Sequence, residues 1–126
     1  MNLVFVTLFP DEMRSFFEKG LFKKAIDAGL FTVEYVQLRD FAFDAHNKVD
    51  DYPFGVRSGM LLKADVLYRA ITSINDYAEY RMIYGCPTGT HWSQSIAGEV
   101  VDTKGIIFIS GYYEGVDSRI FDLLPI

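Results

Sequence analysis

The apolar run Ile106-Ile-Phe-Ile-Ser110 ends in Gly111-Tyr-Tyr-Glu-Gly-Val-Asp117, and a helical pattern from Ser118 to Leu124 follows directly. A short apolar run of this kind reads as a buried strand, and its neighbour as a short helix. Two glycines thus bracket an aromatic pair and a carboxylate at the carboxyl end of a strand. In open α/β sheets ligands sit at that end. Glycine lets backbone N–H and C=O groups approach a ligand closely. A chain carrying this segment is constrained towards strands alternating with helices.

The remaining pattern agrees. Leu3-Val-Phe-Val-Thr-Leu8 reads as a buried first strand, and Pro10, Asp11 and Glu12 as a helix entry. Met13, Phe16 and Phe17 fall on the inner face of that helix, and Gly20 ends or kinks it. A second helix, Leu21 to Ala28, stops at Gly29, and Phe31 to Val36 alternates as a strand. Arg39 to Gly59 reads as one long polar loop, of a kind usually functional or mobile. Met60 to Ile74 shows a helical stripe through Leu62, Val66, Leu67, Ala70 and Ile71. Tyr80 to Tyr84 is a short strand, Gly85-Cys-Pro-Thr-Gly89 a loop, and Ser93 to Val100 a helix. The order predicts an α/β fold, a mostly parallel sheet with helices on both faces.

Composition narrows the function classes. A formal charge of −5 disfavours a general nucleic-acid-binding surface on these residues, because neutralising phosphates takes clustered Lys and Arg. Cys86 is the single cysteine, so no internal disulfide forms and a cytoplasmic location is favoured. Residues 1–10 lack a basic leader and a cleavage site, and no apolar stretch approaches the length of a membrane span. His46 with Asp44, Asp50 and Asp51 does not have zinc-site spacing, and no metal is expected there. Asp50 and Asp51 read as caps of a turn, partners of Arg39 or Arg57, or part of a cleft wall. Lys19, Lys23 and Lys24 form a small basic patch, either a solvated helix face or a phosphate contact. A flavodoxin-like reading fails for want of a phosphate-cradling loop after the first strand.

Three sets of residues fall in a distinctive order. The first is Phe9-Pro10 after the opening strand, with Gly29-Leu30 closing the second helix. The second is Arg39-Asp-Phe41, Asp44, His46, Val49-Asp-Asp51, Pro53-Phe-Gly55 and Gly59-Met60. The third is Pro87-x-Gly89, then Gly111-x-Tyr-Glu-Gly-x-Asp117-x-Arg119. Together they resemble the bacterial tRNA (guanine-N(1)) methyltransferases of the SPOUT class, over essentially the whole chain. The resemblance implies S-adenosyl-L-methionine as methyl donor, tRNA as substrate, a homodimer and a trefoil knot. By the same resemblance, the guanine to be methylated is expected on the 3′ side of the anticodon. It also implies that residues 1–126 are a truncated amino-terminal donor-binding domain, with part of the knot, the general-base aspartate and a helical carboxy-terminal domain beyond Ile126. The alternative within the same family is a non-catalytic cofactor-binding or dimerisation fragment.

Carried over residue by residue, the resemblance makes Tyr84, Gly85, Cys86, Pro87 and Gly89 the first cofactor loop. Gly111, Tyr113 and Gly115 belong to the second. Glu114 becomes a carboxylate contacting guanine or a metal, against the plain reading of a solvated loop acid. Arg57 becomes a contact to guanine or phosphate, against a solvated arginine. The sequence departs from the family at Gly55-Val56-Arg57, where three consecutive glycines are usual, at Tyr112, and at Gly85-Cys86. Cys86 itself reads as a small buried filler. His91 caps or flanks the helix that follows, and Met13, Phe16, Phe17 and Phe22 serve the core or a dimer interface.

Overall fold

The computed structural model describes residues 1–42, 48–51, 61–111 and 115–126. Strand β1 (Asn2–Thr7) leads into helices α1 (Pro10–Phe17) and α2 (Gly20–Asp27), then strand β2 (Thr32–Gln37). A 3-10 turn at Leu38–Phe41, short strands β3 (Asp50–Asp51) and β4 (Leu61–Leu62), and helix α3 (Ala64–Thr72) come next. A 3-10 turn at Tyr77–Glu79, β5 (Arg81–Tyr84), α4 (Gln94–Val101), β6 (Gly105–Ile109) and α5 (Ile120–Leu123) complete the order.

Local chemistry sets the helix ends. Pro10 occupies the first turn of α1, where its missing N–H costs nothing, and Asp11 and Glu12 face the positive end of the helix dipole. Helix α2 closes in a Schellman turn. Gly29, at φ +73°, donates to the Ile26 carbonyl at 2.9 Å, and Leu30 donates to Ala25 at 3.0 Å. Ser93 caps α4 by accepting the Ile96 N–H at 3.3 Å.

The main sheet runs β2-β1-β6-β5 and every pairing in it is parallel. Residues in register share a face, and successive residues alternate. Val4, Val6, Ile107, Ile109 and Met82 therefore face one way, into a buried cluster with Val66, Leu67, Ala70 and Ile71 of α3 and Ile120 of α5. Phe5 faces the other way, stacked on Phe108 at 5.1 Å and on Tyr35 at 6.2 Å, with Phe17 of α1 at 5.1 Å. Helices thus cover both faces, as the order of elements predicts. Each fully buried aliphatic side chain, such as Ile107 or Leu67, contributes about 1.5–3 kcal/mol of burial.

Three expectations change. The helix expected from Met60 begins at Ala64, because Leu61 and Leu62 form β4 and pair antiparallel with Asp50 and Asp51. The polar stretch from Arg39 is not one loop: it opens in the 3-10 turn, and it contains β3 next to Val49, which is fully buried. Asp50 and Asp51 are accordingly strand residues. Phe16 does not point inward. It is 60% exposed and packs on Phe17 and Phe22 at the surface. No helix among the described residues is long and apolar enough to cross a membrane.

Candidate functional site

Parallel pairing places the carboxyl ends of β5 and β6 side by side, with Tyr84 opposite Ile109 in the last register position. The two turns singled out in the sequence leave the sheet from these adjacent ends. The first turn, after Tyr84, borders an open cavity of about 820 Å³. Tyr84, Gly85, Cys86, Pro87 and Gly89 all line it, joined by Trp92. The turn is closed by Gly89 donating to the Cys86 carbonyl at 3.4 Å. Cys86 is exposed, not a buried filler, because the turn carries it out of the sheet; its Sγ lies 3.8 Å from Thr88 Oγ1.

Of the second turn, Gly111 and Gly115 are described. They are not among the cavity's described lining residues, and they meet the first turn through the Tyr84 ring. A Cβ placed on Gly111 would lie 3.4 Å from Tyr84 Cε2, and one placed on Gly115 would lie 3.9 Å from the Tyr84 hydroxyl oxygen. Any larger side chain at Gly111 would therefore press on this ring. Tyr84 also packs on Phe121 of α5, with ring centroids 6.2 Å apart. Burial raises the Tyr84 phenol above its ordinary 10.0, and Cys86 adds to the rise. The phenol is therefore neutral at physiological pH and keeps its proton to donate.

The exit of the second turn is pinned at several points. Leu62 N–H donates to the Gly115 carbonyl at 3.0 Å, and Asp117 N–H donates to the Leu62 carbonyl at 2.9 Å. Val116 thereby adds a parallel bridge to β4. The Asp117 carboxylate accepts from Arg119 backbone N–H at 3.1 Å and from Arg119 Nε at 3.0 Å. Hydrogen bonding from the Arg119 side chain, against some desolvation, holds the Asp117 carboxyl below its ordinary 3.8.

A carboxylate whose pKa is depressed by folding stabilises the fold above its unfolded value, and that stabilisation is lost as pH falls through the folded value. Arg119 is 66% exposed, so solvent screens the pair and the contribution stays near about 0.5–1 kcal/mol. Asp117→Asn is expected to lower the unfolding free energy by that amount at neutral pH. The gap between variant and wild type should begin to shrink below about pH 4, where the ordinary carboxylate protonates, and vanish once pH has fallen through the lower folded value. Urea unfolding across pH reads this directly; a gap independent of pH down to strong acid would contradict the assignment.

Arg57, Tyr113 and Glu114 lie outside the described residues, as do Asp44, His46, Pro53, Gly55, Val56, Gly59 and Tyr112. His91 lines the cavity and precedes the cap residue Ser93, so it flanks α4 without capping it. Lys23 of the basic patch pairs with Asp27 at 3.1 Å on the exposed face of α2. Trp92 was not singled out from the sequence; its signal there is a lone tryptophan just past a Pro-Gly turn.

The chain matches known proteins along its length. A family model described as tRNA (Guanine-1)-methyltransferase TrmD matches residues 1–124. The tRNA (guanine-N(1)-)-methyltransferase of Staphylococcus epidermidis is 40% identical over 120 residues, which is 95% of this chain and 49% of that protein. The protein of the same name from Borreliella burgdorferi is 38% identical over 123 residues, 98% of this chain and 51% of the relative. The chain therefore spans about half the length of the curated relatives it matches. The crystal structure of tRNA (m1G37) methyltransferase from Aquifex aeolicus superposes with a TM-score of 0.88 at 31% identity, covering 100% of this chain and 57% of that one.

Proposed function

The chain belongs to the tRNA (guanine-1)-methyltransferase family, and from that membership we propose that it holds the methyl donor for methylation of guanine N(1) in tRNA, on the 3′ side of the anticodon. Its fold, a parallel sheet flanked by helices, is that of the SPOUT class. The donor we assign is S-adenosyl-L-methionine, and the setting a cytoplasmic homodimer with a trefoil knot completed outside the described residues. The observation that carries the proposal is the Tyr84 ring, which stands where a Cβ on Gly111 or Gly115 would meet it while its own turn borders the cavity.

The residues present suit such a donor. A pocket of this volume, with apolar walls and a few polar groups, matches a ligand of drug size. The backbone N–H groups of the lining residues Gly85 and Cys86 have no hydrogen-bond acceptor among the described residues and can meet a ligand edge. When bound, S-adenosyl-L-methionine supplies an electrophilic methyl group on a sulfonium. The protein's task in an in-line displacement is alignment and exclusion of water. Tyr84 fixes the spacing of the two turns, and the Leu62 and Asp117 contacts fix the exit of the second. Guanine N(1) loses a proton as it is methylated, and negative charge moves to the carbonyl oxygen of the base. By the family resemblance, Glu114 contacts the guanine and Arg57 supports that charge or a neighbouring phosphate. The proton acceptor is assigned to an aspartate outside these residues. Exposed Phe16, Leu21 and Phe22 give a second copy an apolar surface to cover.

The test is calorimetric titration of the chain with S-adenosyl-L-methionine, followed by a search for 1-methylguanosine in tRNA incubated with both. Saturable binding is the expected result, with methylation once the segment carrying the assigned proton acceptor is also supplied. Binding without methylation even then would favour the reading as a donor-binding or dimerisation segment. Absence of binding would overturn the proposal.

A further inference from the structure

We propose that Trp92 is a stacking platform for the purine ring of a nucleoside ligand, and that it determines what the cavity accepts; this rests on the donor-site reading above. Trp92 lines the cavity and is 50% exposed, so an indole face is open to a ligand. Its backbone is not free to drift. The next residue, Ser93, caps α4 through its hydroxyl at 3.3 Å from Ile96 N and through its carbonyl at 3.0 Å from Ala97 N. The helix start therefore presents the indole from a fixed point on the wall.

The same cavity is bordered by the Gly85–Gly89 turn, whose Gly85 and Cys86 N–H groups have no acceptor among the described residues. A flat heteroaromatic ring with polar edges satisfies both features at once, edge to backbone and face to indole. Stacking on an aromatic side chain is worth enough to decide an affinity and suits any purine or pyrimidine face. The described lining residues include no Lys or Arg, so nothing there compensates the charge of a nucleotide phosphate. The chemistry points to an uncharged nucleoside moiety, as in a sulfonium or thioether nucleoside.

Trp92 is the single tryptophan of the chain, so its emission reports on this wall alone. Adenosine is expected to quench that emission saturably, methionine at equal concentration is not, and ATP should bind no better than adenosine. By calorimetry, Trp92→Ala should weaken S-adenosylhomocysteine about 10- to 100-fold, and Trp92→Phe should recover most of the loss. Emission unchanged by adenosine, or wild-type affinity in Trp92→Ala, overturns the stacking role. If S-adenosylhomocysteine still binds in that case, the donor-site reading stands. Quenching by tRNA but not by adenosine would overturn the assignment in favour of an RNA base. If neither ligand binds the wild-type chain, both readings fall.

Discussion

Gly105→Ala is expected to lower the melting temperature by about 10 °C or more, or to prevent folding outright. The added Cβ would stand 2.1 Å from the Asn2 carbonyl oxygen, 3.0 Å from its carbon and 2.7 Å from Tyr80 Cε1. Gly105 is buried, begins β6 and is in register with Asn2 of β1, the two central strands of the sheet. Asn2 is held from several sides. Its side chain donates to Glu34 Oε1 at 2.7 Å and to the Tyr80 hydroxyl at 3.1 Å, and it accepts from Thr32 Oγ1 at 2.7 Å. The strand cannot retreat without opening its pairing with β6 and releasing these bonds. Overpacking commonly costs about 1–3 kcal/mol, and a clash with backbone belongs at or above the top of that range. Total stability for a domain is about 5–15 kcal/mol. Gly98→Ala is the control. It lies within α4 with nothing inside 4 Å of the added Cβ, so alanine should stabilise by about 0.5–1 kcal/mol. Similar melting temperatures for the two variants would contradict the packing described at Gly105.

In a complete enzyme carrying this segment, Glu114→Ala is expected to slow methyl transfer by about 100-fold or more while changing S-adenosyl-L-methionine affinity only a few-fold. The residue lies in sequence between Gly111 and Gly115, the two glycines whose added Cβ would meet the Tyr84 side chain. The proposal gives Glu114 to the guanine, not to the donor. An interaction with the acceptor base strengthens as the N(1) proton leaves, so its loss appears in the rate of the chemical step. Single-turnover transfer measured beside donor titration separates the two effects. Glu114→Gln keeps the shape and removes the charge, and is expected to fall between alanine and wild type. Equal losses in affinity and rate would move Glu114 to the donor side of the site.

Strands β1 and β6 were legible in the sequence because central parallel strands, buried on both faces, read as continuous apolar runs. The starts and stops of α1 and α2 were legible in Pro10 and Gly29. Strands β3 and β4 were not, since two-residue strands leave no periodicity. Leu62 matched a helical stripe equally well until its bonds to Gly115 and Asp117 became visible. Val49 is a lone apolar residue in a polar stretch, yet it is fully buried in the main core cluster, with Lys63 N–H donating to its carbonyl at 2.8 Å. Phe16 has core chemistry and helical spacing, yet α1 is short and turns only part of its apolar stripe to the sheet.

The candidate site divides the same way. Glycine at 85, 89, 111 and 115 announced two turns of close backbone approach. The contact that joins them, the Tyr84 ring, depends on β5 lying next to β6, which only the sheet order supplies. Trp92 reaches the cavity because α4 starts immediately after it. The roles given to Arg57 and Glu114 rest on family resemblance and not on local pattern.

Hydrogen–deuterium exchange of the chain with and without S-adenosyl-L-methionine tests the joint donor site most directly. Slowed amide exchange in both 84–92 and 110–117, with little change along the α2 surface, is the predicted outcome. Protection of one segment without the other would contradict the account, because a ligand seated on a single turn leaves the Tyr84 junction without a function.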